Sequence, residues 1–311
     1  MMASPDLRVH PEEPARLGTL QGVRIREDTL YSNDRGKEKK SIRKRAEKIF
    51  QKLGEEIRRA LAPDEAVLYV ARCQAPVGAW EQMTLGWYIY YVTATVVVFT
   101  NRRLLHFGVK RNGEWNKILR SVSWGDVEDV KVKGWLSKTL ELKYRTGKKE
   151  RYWNISREDG NSLRNLLVAI FAAGARESSQ VQAAISLCPS CLAELTPQVY
   201  RCAKCGQQFK DERTMVTRSL IVPGGGYFYT GHWFLGLGDF IVEAYLLIMV
   251  IVLAATAAGL IKDPLTEPGQ ERIAGAAAWI AAGFIAAILA FEKWLTVHHC
   301  RRFIREFIPL G

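Results

Sequence analysis

Four cysteines with the spacing of a metal site carry the strongest chemical signal in this 311-residue chain. Cys188 and Cys191 form one CxxC pair, and Cys202 and Cys205 form a second after a ten-residue spacer. Four thiolates on two tight turns suit a tetrahedral Zn²⁺ at about 2.3 Å from each sulfur, and this spacer can return the second pair to the first. Since all four ligands are cysteine, no position is left for water. The pattern predicts a structural zinc rather than a catalytic one.

The residues around the cysteines agree with this interpretation. Gly206 follows the second pair, where a turn of this kind needs a positive φ. Residues 188–210 resemble the zinc ribbon family, in which two such turns hold one zinc. An oxidised or metal-free state is the alternative. A thioredoxin-like CxxC would head a helix after a strand, whereas CPSC follows an Ala/Ser-containing linker at residues 176–187.

Charge and composition indicate which partners, which compartment and which classes of function to expect for this chain. The formal net charge of +12 indicates anionic partners, either lipid head groups or nucleic acid. Residues 1–34 are polar and lack the apolar core of a secretory signal, so we expect a disordered segment. Cys73 and Cys300 lack partner spacing, which favours a reducing, cytosol-like compartment. None of the five His lies in a GxSxG or HExxH frame, and we expect no enzyme activity.

Residues 35–62 predict a basic amphipathic helix. Between Arg35 and Arg59 there are eleven Lys or Arg against four Glu, and apolar residues recur at helical spacing. Such a helix would lie on an anionic leaflet or pack its apolar stripe on the following domain. Nucleic-acid binding is disfavoured, because aromatic side chains are not interleaved with the cations. The candidate lipid contacts in this helix are Lys39, Lys40, Arg43, Lys44, Arg45 and Lys48.

Residues 63–175 predict a mainly-β sandwich or barrel that a C-terminal helix closes. Seven runs rich in β-branched and aromatic residues precede a helical period over residues 157–173. The segments 96–107 and 123–132 resemble the bacterial pleckstrin-homology-like family. The residues that carry this resemblance are Thr100, Asn101, Arg103, Asp126, Val127 and Val130.

The resemblance implies a non-catalytic module that binds lipid head groups or peptides, or self-associates. Phosphoinositide-binding members of the wider fold have Lys and Arg in their first hairpin, and residues 75–87 contain neither. They contain Trp80, Met83, Leu85 and Trp87 instead. We expect Trp80 and Trp87 to contact a membrane surface or a partner, with packing in the core as the alternative.

Residues 217–297 predict a helical transmembrane hairpin with spans at 240–261 and 273–291. Lys and Arg flank its outer ends and are sparse in its connecting loop, which predicts cytoplasmic termini in a bacterial cytoplasmic membrane. Residues 219–235 combine a Pro and several Gly with aromatic rings, which indicates an interfacial or re-entrant segment, although a third span is not excluded. Residues 298–311 predict a basic interfacial tail.

Two acidic residues lie at the start of the first span, Asp239 immediately before it and Glu243 within it. Asp239 and Glu243 are four positions apart and share one helical face. Carboxylates at membrane depth are candidate functional residues, and a solvated interfacial pair is the alternative. A stripe of alanines in the second span favours close helix contact or self-association into a homo-oligomer.

The leading hypothesis is a non-enzymatic, membrane-anchored cytoplasmic binding or adaptor protein. It would present a pleckstrin-homology-like domain and a zinc ribbon at the membrane surface to a protein partner or an anionic lipid. One alternative is a small oligomeric channel or transporter that the soluble domains regulate. Another is a zinc ribbon that binds nucleic acid while tethered to the membrane.

Overall fold

The computed structural model describes residues 16–172, 178, 183–261 and 271–310. The chain forms two compact units, Met1–Glu194 and Leu195–Gly311. Residues 1–15 of the predicted disordered segment, half of the predicted linker (176, 177 and 179–182) and residues 262–270 between the two predicted spans lie outside the described residues.

The first unit is a mainly antiparallel sheet with helices, as the sequence predicts. Its strand order is β10-β6-β5-β4-β3-β9-β8-β7, and β2 joins β3 in parallel beside a β1–β2 hairpin. The strands are β1 Leu17–Leu20, β2 Val23–Arg26, β3 Val67–Gln74, β4 Ala94–Thr100, β5 Arg103–Val109, β6 Trp115–Ser123, β7 Val127–Lys133, β8 Lys138–Tyr144, β9 Lys149–Ile155 and β10 Ile185–Ser186. The helices are α1 Glu27–Leu30, α2 Lys40–Ala60, α3 Ala79–Leu85, α4 Ile89–Val92 and α5 Arg157–Ala172.

Two hydrophobic clusters lie on opposite sides of the central strands. The first contains the buried apolar residues of β2 and most of those of α2, together with one face of β3 to β6. The second contains the other face, the strands β7 to β9 and Leu163 and Leu167 of α5. Strands β4 and β5 are therefore buried along almost their whole length, which explains their continuous apolar sequences.

The N-terminal region corrects one prediction. Residues 17–30, which we expected to be disordered, form β1, β2 and α1. Val23 and Ile25 alternate into the first cluster, and Leu30 follows them there. Three apolar side chains in a polar stretch are a weak sequence signal of ordered structure. Here they are buried because they pack against apolar residues of the sheet and α2.

The apolar stripe of helix α2 packs in the domain core and not on a membrane surface. Its apolar stripe, including Phe50, Leu53 and Ile57, is fully buried against the sheet. A side chain buried in the core cannot also enter a membrane. The helix therefore closes the outer face of the domain and leaves its charged side towards solvent.

The Thr-Asn-x-Arg turn between β4 and β5 holds a buried ion pair. Arg103 donates to both carboxylate oxygens of Glu65, at 3.0 and 2.9 Å, and Thr100 donates to Glu65 Oε1 at 2.6 Å. Burial alone would raise the pKa of Glu65, but the hydrogen bonds from Arg103, Thr100 and the backbone hold this pKa below its usual value. Arg103 also donates to the carbonyl of Ala60, which connects this turn to the end of α2.

Replacing Arg103 by Met should destabilise the first unit strongly. It would leave the buried Glu65 carboxylate without its charged partner, at a cost of about 3 kcal/mol or more in unfolding free energy. Urea unfolding of residues 16–187, which hold all ten strands, measures the change. The matched control is Arg102→Met, since Arg102 pairs with Asp64 on the exposed surface and should contribute less than about 1 kcal/mol. Equal losses in the two variants would contradict the role of the buried pair.

The described residues of the second unit form four helices: α6 Glu212–Ile221, α7 Gly225–Thr230, α8 Trp233–Ala257 and α9 Glu271–Ile304. Helices α8 and α9 are long and apolar enough to cross a membrane. Compared with the predicted spans, α8 begins earlier and ends before Ala258, and α9 continues well past Phe291. Large apolar side chains such as Ile248 and Ile280 are exposed along both helices, whereas a soluble bundle would cover them.

The glycine-rich segment forms a tight connection between α6 and α7. Gly224 has a φ of +65°, and a Cβ at this position would clash with the carbonyl oxygen of Gly236 in α8. The next two glycines, Gly225 and Gly226, face the carbonyl of Arg218 and the hydroxyl of Ser219 just as closely. Glycine is thus required because backbone and side chains of α6 and α8 approach within contact distance.

The C-terminal tail differs from the predicted interfacial anchor. Phe303, Ile304 and Phe307 are buried within the protein. The ring of Phe307 meets that of Phe209 edge to face, with centroids 5.5 Å apart, and Lys210 N donates to the carbonyl of Ile308 at 2.9 Å. The apolar side chains that suggested membrane contact pack on the chain that follows the second cysteine pair.

Gly224→Ala should lower the stability of the second unit. The new methyl group clashes with the carbonyl oxygen of Gly236, and alanine must adopt an unfavourable left-handed backbone conformation. We expect a lower unfolding temperature of the detergent-solubilised protein, corresponding to about 2 kcal/mol or more. Gly238→Ala is the control, since a Cβ there meets nothing within 4 Å and alanine favours the helix. Equal unfolding temperatures for the two variants would refute this explanation of the glycine motif.

Candidate metal centre and binding surface

Each CxxC pair forms a tight turn with the same backbone pattern. In the first, Leu192 N donates to the carbonyl of Cys188 at 2.8 Å, and in the second, Gly206 N donates to that of Cys202 at 3.0 Å. Both donors have a positive φ, 62° for Leu192 and 75° for Gly206. The prediction for Gly206 is confirmed. Leu192 was missed because leucine seldom adopts this conformation; its side chain packs against the first hydrophobic cluster.

The four cysteine sulfurs meet at one place and could hold a metal ion. They all lie within 4.8 Å of one another. Four sulfurs at about 2.3 Å from a tetrahedral metal lie about 3.8 Å apart, so small shifts of the side chains complete the site. The donor set of four thiolates is that of a closed, structural site, and the residues fit the metal that their spacing predicts.

The first cysteine pair is fixed to the sheet and to α2. The strand β10, immediately before it, pairs with β6, and Leu187 N donates to the carbonyl of Leu119 at 2.8 Å. Arg59 of α2 donates to the carbonyl of Ser190 within the turn, at 2.9 Å. The turn is therefore held by backbone and side-chain hydrogen bonds in addition to its cysteines.

The predicted lipid-contacting cations, Lys39 immediately before α2 and the others within it, divide into two groups. Lys39 and Arg45 pair with Glu158 of α5, and Arg43 pairs with Glu38 while its guanidinium lies over the ring of Tyr31. These ion pairs offset part of the positive charge. Lys40, Lys44 and Lys48 are exposed.

The insertion between β3 and β4 exposes large aromatic and apolar side chains. We call the exposed set the aromatic insertion: Trp80, Met83, Trp87, Tyr90 and Tyr91. Trp87 is 71% exposed and Met83 67%, whereas Leu85 of the same segment is buried. Core packing, the alternative for these side chains, is therefore wrong for Trp80, Met83 and Trp87 and correct for Leu85.

Positive charge borders the aromatic insertion. The guanidinium of Arg111, in the turn between β5 and β6, lies 5.6 Å from the ring centre of Tyr91. Lys52 of α2 donates to the carbonyl of Asn112 in the same turn. The exposed side chains of Arg72 and Lys110 add to this charge, and Glu114 opposes it through its ion pair with Lys110. An aromatic surface beside cations suits an interface between apolar and anionic groups.

The predicted acidic pair lies inside the helical hairpin with partners that sequence reasoning missed. Glu243 is buried, and its Oε2 accepts hydrogen bonds from Lys293 at 2.6 Å and from Gly224 N at 2.9 Å. Asp239 lies beside Thr296 and Glu292 of α9. The missed residues follow Phe291, where we ended the second span. Their spacing along α9, at positions 292, 293 and 296, was the available signal of a polar helix face.

The comparisons with known proteins identify one domain. The family model for the bacterial PH domain matches residues 61–167, about a third of the chain. This range agrees with the predicted resemblance and covers β3 to β9 and most of α5. No curated protein and no solved structure matches the chain.

Proposed function

We propose that this protein is a non-enzymatic, membrane-anchored cytoplasmic binding protein whose aromatic insertion docks on an anionic lipid surface. The single observation that carries the proposal is the exposure of Trp80, Met83 and Trp87 on a domain that matches a binding-module family. Soluble proteins seldom leave several large apolar side chains together in solvent without a binding role.

The composition of the surface favours lipid as its occupant. Trp and Tyr are the residues that concentrate at membrane interfaces, where the ring enters the apolar layer and the polar group stays hydrated. The neighbouring Arg111, Arg72 and Lys52 supply charge for lipid phosphates, each worth about 1 kcal/mol near an anionic surface. A protein partner for the same surface is the competing outcome in the experiment below.

The helices α8 and α9 would provide the anchor. Exposed apolar side chains along both helices support insertion into a bilayer. Lys204, Lys210 and Arg213 before the hairpin, with Arg301 and Arg302 after it, support cytoplasmic termini in a bacterial cytoplasmic membrane. Anchoring keeps the aromatic insertion close to lipid, so that even weak contacts become occupied through the high effective concentration.

We further propose that the four cysteines hold one structural Zn²⁺. The resident metal would fix the turns of the ribbon, because about twenty residues bury too little apolar surface to fold alone. The chain supplies Cys188, Cys191, Cys202 and Cys205 as thiolate ligands, and the backbone hydrogen bonds within each turn orient them. With no open ligand position, no catalytic role is assigned to the metal.

Metal analysis of the purified full-length protein should give one zinc per chain. Cys205→Ser should lose most of this zinc and lower the unfolding temperature, because three thiolates bind the ion less tightly than four. Cys73→Ser is the control, since Cys73 is buried in the second hydrophobic cluster away from the site. Full zinc content in Cys205→Ser, or zinc-free wild type with unchanged stability, would contradict the proposal.

Binding of residues 16–187 to vesicles tests the lipid surface, since this fragment contains both hydrophobic clusters and ends before Cys188. We expect sedimentation with vesicles rich in phosphatidylglycerol and little with phosphatidylcholine. Trp80→Ala with Trp87→Ala should weaken binding about tenfold or more, the equivalent of about 1.4 kcal/mol. Trp135→Ala is the matched control, because Trp135 is 74% exposed in another turn.

Three results would refute the lipid proposal. Equal binding to the anionic and neutral vesicles would remove the role of charge. An equal loss in Trp135→Ala and in the double variant would remove the role of the aromatic insertion. Absence of vesicle binding by a folded fragment would favour a protein partner for this surface.

A further inference from the structure

Three carboxylates converge inside the helical hairpin. Asp239 and Glu243 come from α8, and Glu292 comes from α9; one oxygen of each lies within 4.8 Å of the others. The hydroxyl of Thr296 lies 3.0 Å from Glu292 Oε1 and 3.2 Å from Asp239 Oδ2. We call these four side chains the carboxylate cluster. Its oxygen atoms come from both long helices.

The charge of the carboxylate cluster is only partly balanced. Lys293 Nζ lies 2.6 Å from Glu243 Oε2 and also donates to the carbonyl of Ser219 at 2.5 Å. Among the ion pairs of the described residues, this cation is the one that reaches the cluster. One ammonium group against three carboxylates leaves a negative excess in an apolar surrounding, where unpaired charge is costly.

Two carboxylate oxygens of the cluster are buried without a hydrogen-bond partner. Glu243 is only 1% exposed, and its Oε1 accepts no hydrogen bond within the described part of the chain. The same holds for Glu292 Oε2. Leaving a buried charged acceptor unsatisfied costs more free energy than leaving a neutral acceptor unsatisfied. Glu243 Oε2, by contrast, is fully occupied by Lys293 and Gly224 N.

We propose that the carboxylate cluster binds a hard divalent cation of the Mg²⁺ or Mn²⁺ class. The cation would satisfy Glu243 Oε1 and Glu292 Oε2 and neutralise the negative excess left by Lys293. Carboxylate and hydroxyl oxygens are the ligands that such ions prefer. Opposite ligands of one ion of this class lie about 4.2 Å apart, and the three oxygens lie within 4.8 Å of one another, so small shifts of the side chains complete the site.

Such an ion would join α8 to α9. It would also connect both helices to the turn between α6 and α7, because Glu243 contacts Lys293 and Gly224. Glu243 already receives the backbone N–H of that turn, and Lys293 contacts the end of α6 at Ser219. The site differs from the cysteine site in its ligand chemistry, because thiolates select Zn²⁺ and oxygen ligands select harder ions. Occupancy of the two sites can therefore be measured separately.

Titration of the zinc-loaded, full-length protein in detergent with Mn²⁺ tests the proposal through electron paramagnetic resonance of the free ion. We expect one saturable site per chain and a higher unfolding temperature when it is filled. Glu292→Gln should weaken Mn²⁺ binding about tenfold or more, while its amide preserves the side-chain volume. Asp239→Asn provides a second test should Glu292→Gln prevent folding. Glu212→Gln is the control, since Glu212 pairs with Arg301 outside the cluster and should leave binding unchanged.

Absence of saturable Mn²⁺ binding to the wild-type protein would overturn the proposal. So would wild-type affinity in the folded Glu292→Gln or Asp239→Asn variant. A proton shared between Glu243 and Glu292 would satisfy the same two oxygens. In that case Mn²⁺ would leave the unfolding temperature unchanged, and Glu292→Gln would keep or raise it, which also contradicts a metal site.

Discussion

The central strands of the first unit are apolar on both faces, and this constraint decides how the rest of the unit is built. Strands β4 and β5 are buried along nearly their whole length. One face is covered by β7 to β9 and α5, as expected for a PH-like domain. The apolar side chains of the other face are buried by α2 and the β1–β2 hairpin. An exposed face of this area would be a site of aggregation.

The packing of α2 and the β1–β2 hairpin on the sheet determines which surfaces of the first unit remain exposed for binding. The apolar stripe of α2 is consumed in the core, so the helix presents only its charged side, and several of its cations pair with acidic residues. The aromatic insertion lies beyond the covered strands and keeps its large side chains in solvent. The surface proposed to bind the membrane is therefore formed by the aromatic side chains bordered by Arg111, and not by the basic helix whose sequence pattern suggested that role.

Patterns within short segments predicted the structure well, and contacts between distant segments did not. The two CxxC turns, the positive φ of Gly206 and the run of strands with a final helix follow from local spacing and residue type. The packing of Val23 and Ile25 on β3, and of Phe307 on Phe209, depends on surfaces that fold from elsewhere in the chain. A polar N-terminus and a basic tail have the composition of disordered or interfacial segments, because composition does not reveal a partner surface.

The carboxylate cluster shows the same limit inside the hairpin. Asp239 and Glu243 stood out in the sequence because they interrupt an apolar run. Glu292 and Lys293 lie just past the apolar part of α9, where charged residues are common. Only the packing of α8 against α9 in the structure shows that these four side chains meet. The structure also shows that the backbone N–H of Gly224 donates to Glu243, the most buried carboxylate of the cluster.

Photocrosslinking from position 83 tests the lipid-docking claim most directly in the intact protein. Met83 is replaced by a benzophenone amino acid, the full-length protein is irradiated in native membranes, and the products are identified by mass spectrometry. We expect adducts with phospholipid, and none from a probe in place of Leu136, which is even more exposed than Met83 and lies in another turn. Adducts with one protein and none with lipid, or equal lipid adducts from both positions, would contradict docking of the aromatic insertion on the membrane.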